Sequence, residues 1–152
     1  ILKLSSKITK KNNTVALEQF FYYTWIMYKV RIEDDFAAAH FLRDYHGKCE
    51  NLHGHNYKVF VYLKGESLNE GGMLYDFTFL KKDLKSILSI LDHTNLNDLE
   101  INGKSVFNQN PSAERIAKYI FDKLIESSEQ IKTLLYRVDV FETDKNRASY
   151  EI

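Results

Sequence analysis

The stretch KCENLHGHNYKVFVYL, residues 48–63, sets the chain's single cysteine, Cys49, four residues ahead of a His-Gly-His formed by His53 and His55. Residues i and i+2 of a strand point the same way, so these two imidazoles can grip one ion from one face. His40 has the parity of the inner face of the preceding strand, where a cross-strand neighbour can add a third nitrogen. Three neutral imidazoles without a thiolate suit zinc with an open fourth position, which is a catalytic arrangement and not a structural one. Spacing alone leaves other readings open. Cys49 as fourth ligand would close a structural site, and Cys49 as a small buried hydrophobe would have no chemical part. The His-x-His pair could also be a chance pair, since a zinc site needs more than two ligands. His46 has no evident partner and is expected at the surface.

The elements that must position these residues follow from hydrophobic periodicity. Tyr28, Val30, Ile32, Phe36, Ala38 and His40 share one parity, with an irregularity expected at Asp34-Asp35. His53, His55, Tyr57, Val59, Val61 and Leu63 alternate with polar or outward residues, and GESLNEGG at 65–72 is turn-like by composition. Leu80, Leu84, Ile87, Leu88 and Leu91 repeat at helical spacing up to Asp92. Residues 92–110 read as loop. A second helix is expected from Asn110-Pro111, with Asn as N-cap and Pro at the first helical position, and Ile116, Ile120 and Leu124 as its apolar stripe. Val138, Val140 and Glu142 alternate on a third strand, and ASYEI closes a fourth. The fold class expected is α+β, a four-stranded antiparallel sheet with two helices on one face in the order ββααββ.

Bulk composition narrows the function classes. The 152 residues carry 21 basic and 21 acidic side chains, a balance that argues against a partner held by its phosphate backbone or by anionic lipid, so neither nucleic acid nor membrane is expected. One cysteine rules out an internal disulfide framework and fits a reducing compartment. No segment reads as a membrane span or a leader, and a cytoplasmic protein is expected. Residues 1–24 are polar and weakly patterned, an extension of unknown role ahead of a single domain at 25–152.

FAAAHFL (36–42), GKCENLHGHNYKV (47–59), YDFTFLK (75–81), LDHTNLN (91–97), NPSAERIAKYI (110–120) and VFETD (140–144) occur in one order. This combination resembles the 6-pyruvoyl- and 6-carboxytetrahydropterin synthase family over roughly Trp25 to Ile152. The resemblance implies a tunnelling (T-fold) subunit that trimerises into a β-barrel and stacks as a homohexamer, with active sites shared between neighbouring subunits. It implies a pterin triphosphate substrate, 7,8-dihydroneopterin triphosphate, and Zn2+ as cofactor. By motif, His40, His53 and His55 become the zinc ligands and Cys49 the general base. Its thiol would work once the nearby cation lowers its pKa below about 8.5. Asp92 and His93 match the family's proton-relaying pair, Glu142 the acid that anchors the pterin by two parallel hydrogen bonds, and Ser112 a position near the pterin. Without the family, Asp92-His93 reads as a helix end with His at the C-terminal dipole. Asp76, Glu114 and Lys81-Lys82 read as caps or a solvated face.

The four-residue step from Cys49 to His53 matches the bacterial 6-carboxytetrahydropterin synthases, which release acetaldehyde and triphosphate and feed queuosine and related deazapurines. Pyruvoyl synthases of biopterin-type pathways carry a longer connection. A further branch uses a glutamate three residues before the His-Gly-His to cleave the side chain to a hydroxymethylpterin for folate synthesis, and Glu50 stands at that place beside the retained Cys49. A non-catalytic zinc- or pterin-binding protein on the same fold is the alternative of a different class.

Overall fold

A computed structural model of the chain describes residues 27–152, so the expected extension at 1–24 lies outside the described residues. Strand β1 (Tyr28–His40) pairs antiparallel with β2 (His53–Gly65) without interruption, from Tyr28 opposite Gly65 to His40 opposite His53. The irregularity expected at Asp34-Asp35 is absent from this pairing. Asp34 keeps the inner parity only half-buried, with Lys85 Nζ 4.0 Å from its carboxylate, so the acid is not sealed in the core.

Helix α1 (Phe77–Leu91) starts where the Asp76 side chain accepts from the Thr78 N–H at 2.7 Å, a cap for an otherwise orphaned donor. Its Leu80, Leu84, Leu88 and Leu91 are buried against the sheet. The chain then forms β3 (Thr94–Asn95) and a small separate hairpin, β4 (Glu100–Ile101) with β5 (Lys104–Ser105). Asn102 (φ 53°) and Gly103 (φ 71°) make the hairpin's turn, the left-handed pair such a two-residue connection demands. Helices α2 (Ala113–Ser127) and α3 (Glu129–Leu134) follow, then β6 (Leu135–Thr143) and β7 (Asn146–Glu151).

The main sheet is five-stranded in the order β3-β1-β2-β6-β7. The four-stranded, all-antiparallel sheet expected is not what forms: there are five strands and the sheet is mixed, with β3 parallel to β1 at Ala38 and Ala39. Two residues carry no alternation to read, so this strand left no signal in the sequence. There are three helices among the described residues, not two, because Ser128 takes an extended conformation (φ −160°) and re-caps the chain by accepting from the Gln130 N–H.

One face of the sheet is closed by the helices. Tyr57, Val59, Val61 and Leu63 of β2 and Val138 and Val140 of β6 are fully buried against Leu80, Leu84, Ile116, Ile120 and Leu124. Each such side chain contributes about 1.5–3 kcal/mol by leaving water. The other face carries a buried acid: Asp139 accepts from Arg137 Nε at 2.7 Å and Nη2 at 3.1 Å, and from the Tyr62 hydroxyl at 3.0 Å.

Candidate metal centre

The three histidines meet where β1 ends and β2 begins. Strand pairing puts His40 directly opposite His53, and His55 follows on the same face. One ligand atom from each lies within 4.8 Å of the other two. His40 Nδ1 is 2.8 Å from the Pro111 carbonyl and His53 Nδ1 is 2.7 Å from the Asn51 carbonyl. A carbonyl only accepts, so both Nδ1 atoms carry the proton and both Nε2 atoms are bare. His40 is 2% exposed and its Nε2 has no hydrogen-bond partner. An unpaired buried acceptor costs about 1–3 kcal/mol; a cation held by the three imidazoles removes that cost. Burial, only partly offset by the Pro111 bond and nearby Glu142, lowers the His40 pKa and keeps the ring neutral, as a ligand must be. The donor set fits a divalent metal ion.

Glu142 joins this end of the core. It shares the inward parity of Val138 and Val140, and its Oε1 stands 3.8 Å from His40 Nε2. Tyr57 comes next to His55 on the inner face, stacked on Phe36 with ring centres 4.8 Å apart, and its buried hydroxyl has no partner. Burial, with Glu142 adding to it, pushes the phenol's pKa up, so it remains a neutral hydroxyl. The sequence marks Tyr57 only as core; its polar end was legible in the parity it shares with the histidines.

Cys49 lies in a single 3-10 turn, Lys48–Glu50, half-buried, and its carbonyl accepts from the Leu42 N–H at 2.8 Å. It is not part of the ligand cluster, which among the described residues consists of the three histidines alone. The Glu50 carboxylate accepts from the Tyr45 N–H at 3.2 Å and so closes its own loop. Asp76 is the α1 cap, and Glu114 sits in the first turn of α2. The α2 N-cap is Ser112, two residues later than the sequence suggests, because the Asn110 carboxamide is bonded to Arg43 and the Pro111 carbonyl to His40.

Asp92 and His93 are placed elsewhere. Asp92 ends α1, and its Oδ2 lies 2.8 Å from His93 Nδ1 while its Oδ1 accepts from the Ala37 N–H at 2.9 Å. The Ala37 N–H, with His93 second, holds the Asp92 carboxyl below its usual range. The His93 side chain is 83% exposed and lines a shallow hollow of about 520 Å³ that Ala38 and His55 also reach but that is formed mainly with Ala37, Ala39, Gly54 and Asn56. Those four alternate with the histidines and Ala38 along their strands, so they belong to the opposite face of the sheet. One chain therefore assembles His40, His53, His55 and Glu142, and its Asp92-His93 pair stands outside that cluster, beside residues mostly of the opposite face.

A helix-covered α+β sheet thus carries three convergent imidazoles able to hold a metal ion, a carboxylate facing them and a thiol in the adjoining loop. The chain belongs to the 6-pyruvoyl tetrahydropterin synthase family, whose sequence model matches residues 29–152. It is 39% identical over 131 residues to the 6-carboxy-5,6,7,8-tetrahydropterin synthase of Synechocystis sp., covering 83% of this chain and 92% of the relative. A putative 6-pyruvoyl tetrahydrobiopterin synthase of Caenorhabditis elegans is 37% identical over 131 residues, covering 78% and 90%. The solved structure of Caenorhabditis elegans 6-pyruvoyl tetrahydropterin synthase matches with a TM-score of 0.73 at 33% identity, over 83% of this chain and 96% of that one. The chain is a lyase of the tetrahydropterin synthase type. Among the described residues no helix is long and apolar enough to cross a membrane.

Proposed function

We propose that the protein is a zinc-dependent lyase converting 7,8-dihydroneopterin triphosphate to 6-carboxy-5,6,7,8-tetrahydropterin, with release of acetaldehyde and triphosphate, on a route to queuosine or a related deazapurine. The observation that carries it is the bare Nε2 of His40, converging with His55 and with His53, which stands four residues beyond Cys49. Zinc, when bound by these three imidazoles, supplies Lewis-acid polarisation of the substrate's side-chain oxygens. Cys49 takes a proton from the side chain as its thiolate. Glu142 fixes the pterin through its ring N–H and amino group, and Ser112, which follows the Pro111 whose carbonyl holds His40, contacts the same ring. Asp92 orients His93, which returns a proton to the substrate.

Since His93 stands outside its own chain's histidine cluster and is exposed, the pair serves the centre of a neighbouring subunit. A homohexamer of two stacked trimers supplies that neighbour. Residues 25–152 form the catalytic domain, and the lone thiol suits a cytoplasmic setting.

A pyruvoyl product is the second reading, favoured by the relatives of that name. Zinc-loaded protein incubated with 7,8-dihydroneopterin triphosphate separates the two. Acetaldehyde together with a 6-carboxypterin mass is the expected result; a pyruvoyl product without acetaldehyde selects the second reading. A hydroxymethyl product would assign the base to Glu50 instead of Cys49, and zinc binding without turnover would leave a pterin-binding protein.

A further inference from the structure

Past His40 the chain leaves β1, yet it stays bonded on both sides. Along the outer edge, every second peptide is met by the segment 92–110. Ala37 is bonded by the Asp92 carboxylate and the His93 N–H, and the Ala39 carbonyl by the Leu96 N–H at 2.9 Å. The Asn97 carboxamide accepts from the Phe41 N–H at 2.8 Å and donates to the Phe41 carbonyl at 2.9 Å. Asn110 treats Arg43 the same way, at 2.7 and 2.9 Å. A carboxamide offers one donor and one acceptor side by side, as a strand peptide does, so two asparagines continue the edge that β3 begins. On the inner edge the Leu42 N–H, between the two clamped residues, donates to the Cys49 carbonyl. Asn110 also precedes Pro111, whose carbonyl holds the His40 ring.

We propose that Asn97 and Asn110 are positioning residues which, by clamping Phe41 and Arg43, fix the Leu42–Cys49 bond and thereby set the thiol against the three-histidine centre. The proposal rests on Cys49 being the working base. A merely structural clamp would lower stability and leave the thiol's behaviour untouched once the protein is folded and loaded with metal. Sub-ångström placement matters because a misplacement of about 1 Å can lower a rate by roughly 100-fold.

Cys49 is the only cysteine, so alkylation by iodoacetamide reports on this one thiol. Zinc-loaded Asn110→Ala and Asn97→Ala are compared with the parent for metal content, melting temperature, alkylation rate, kcat and KM. The expected result is unchanged metal content, an alkylation rate altered several-fold, and a kcat lower by about 10- to 100-fold at nearly constant KM. Asn110→Asp and Asn97→Asp, which keep the acceptor and lose the donor, fall between, and they carry the test where an alanine variant does not fold. Placed in a Cys49→Ala background, Asn110→Ala has no further effect on residual turnover, since groups acting as a unit are not additive. An unaltered alkylation rate in folded, metal-loaded variants overturns the proposal, as does full additivity with Cys49→Ala. The alkylation measurement needs no substrate, so it decides the point even where the pterin reaction itself is not the one catalysed.

Discussion

The Nε2 of His40 and the Oε1 of Glu142 face each other across 3.8 Å at the end of the helix-covered core. With its Nδ1 proton committed to Pro111, the imidazole presents a bare lone pair to a carboxylate, and two acceptors at that distance repel. A cation at the three histidines turns this repulsion into attraction.

Metal removal should therefore loosen the fold as well as stop the reaction. Zinc at 100 times its dissociation constant adds about 2.7 kcal/mol to stability, so a chelator should lower the melting temperature by several degrees. In His53→Ala the chelator should have no such effect. A melting temperature indifferent to metal in the parent protein would argue against a site here.

Glu142→Gln keeps the shape of the side chain and loses its charge. Charge-assisted hydrogen bonds contribute about 1.5–3 kcal/mol, so pterin binding should weaken by roughly 10- to 100-fold, with the zinc content per chain unchanged. Loss of zinc from this variant would make Glu142 a ligand and not a pterin anchor.

The exposure of His93 outside its own chain's histidine cluster predicts complementation. Cys49→Ala and His93→Ala should each be inactive alone, and the two refolded together should recover part of the parent's turnover. Silence in the mixture would mean that thiol and imidazole work within one chain, against the geometry seen here.

Asp139 gives a pH signature far from the chemistry. Burial alone would raise its pKa, but the bonds from Arg137, Ser149 and Tyr62 outweigh it and leave the carboxyl below its ordinary value of 3.8. A pKa lower in the folded than in the unfolded chain stabilises above the unfolded value and is lost as pH falls through the folded one. Asp139→Asn should thus cost roughly 1–3 kcal/mol at neutral pH, a gap that closes below about pH 4 in acid-unfolding curves.

The face on which the histidines sit is legible in the strict alternation over His53–Leu63, and the helix that covers it in the leucine spacing of α1. What stays hidden in the sequence depends on partners that carry no local signature of their own. The carbonyls of Asn51 and Pro111 choose the histidine tautomers, yet a backbone acceptor has no residue type to announce it. Asn110 carries the signature of an N-cap, and a long-range bond to Arg43 outcompetes that local role. Residues 92–110 read as loop because the strands within them are only two residues long, too short to alternate, and the contacts of Asn97 and Asn110 are made by side chains.

The continuous register from Tyr28–Gly65 to His40–His53 also constrains how the chain can vary in length. A one-residue insertion or deletion inside either strand would exchange the histidine face for the one carrying Gly54 and Asn56, dismantling the centre at a stroke. Length can drift only in the connection at 41–52, and Cys49 is on that connection. Lineages of this fold can thus inherit an unaltered ligand frame while the base beside it is moved or replaced, so the same scaffold is free to diverge in which proton it removes.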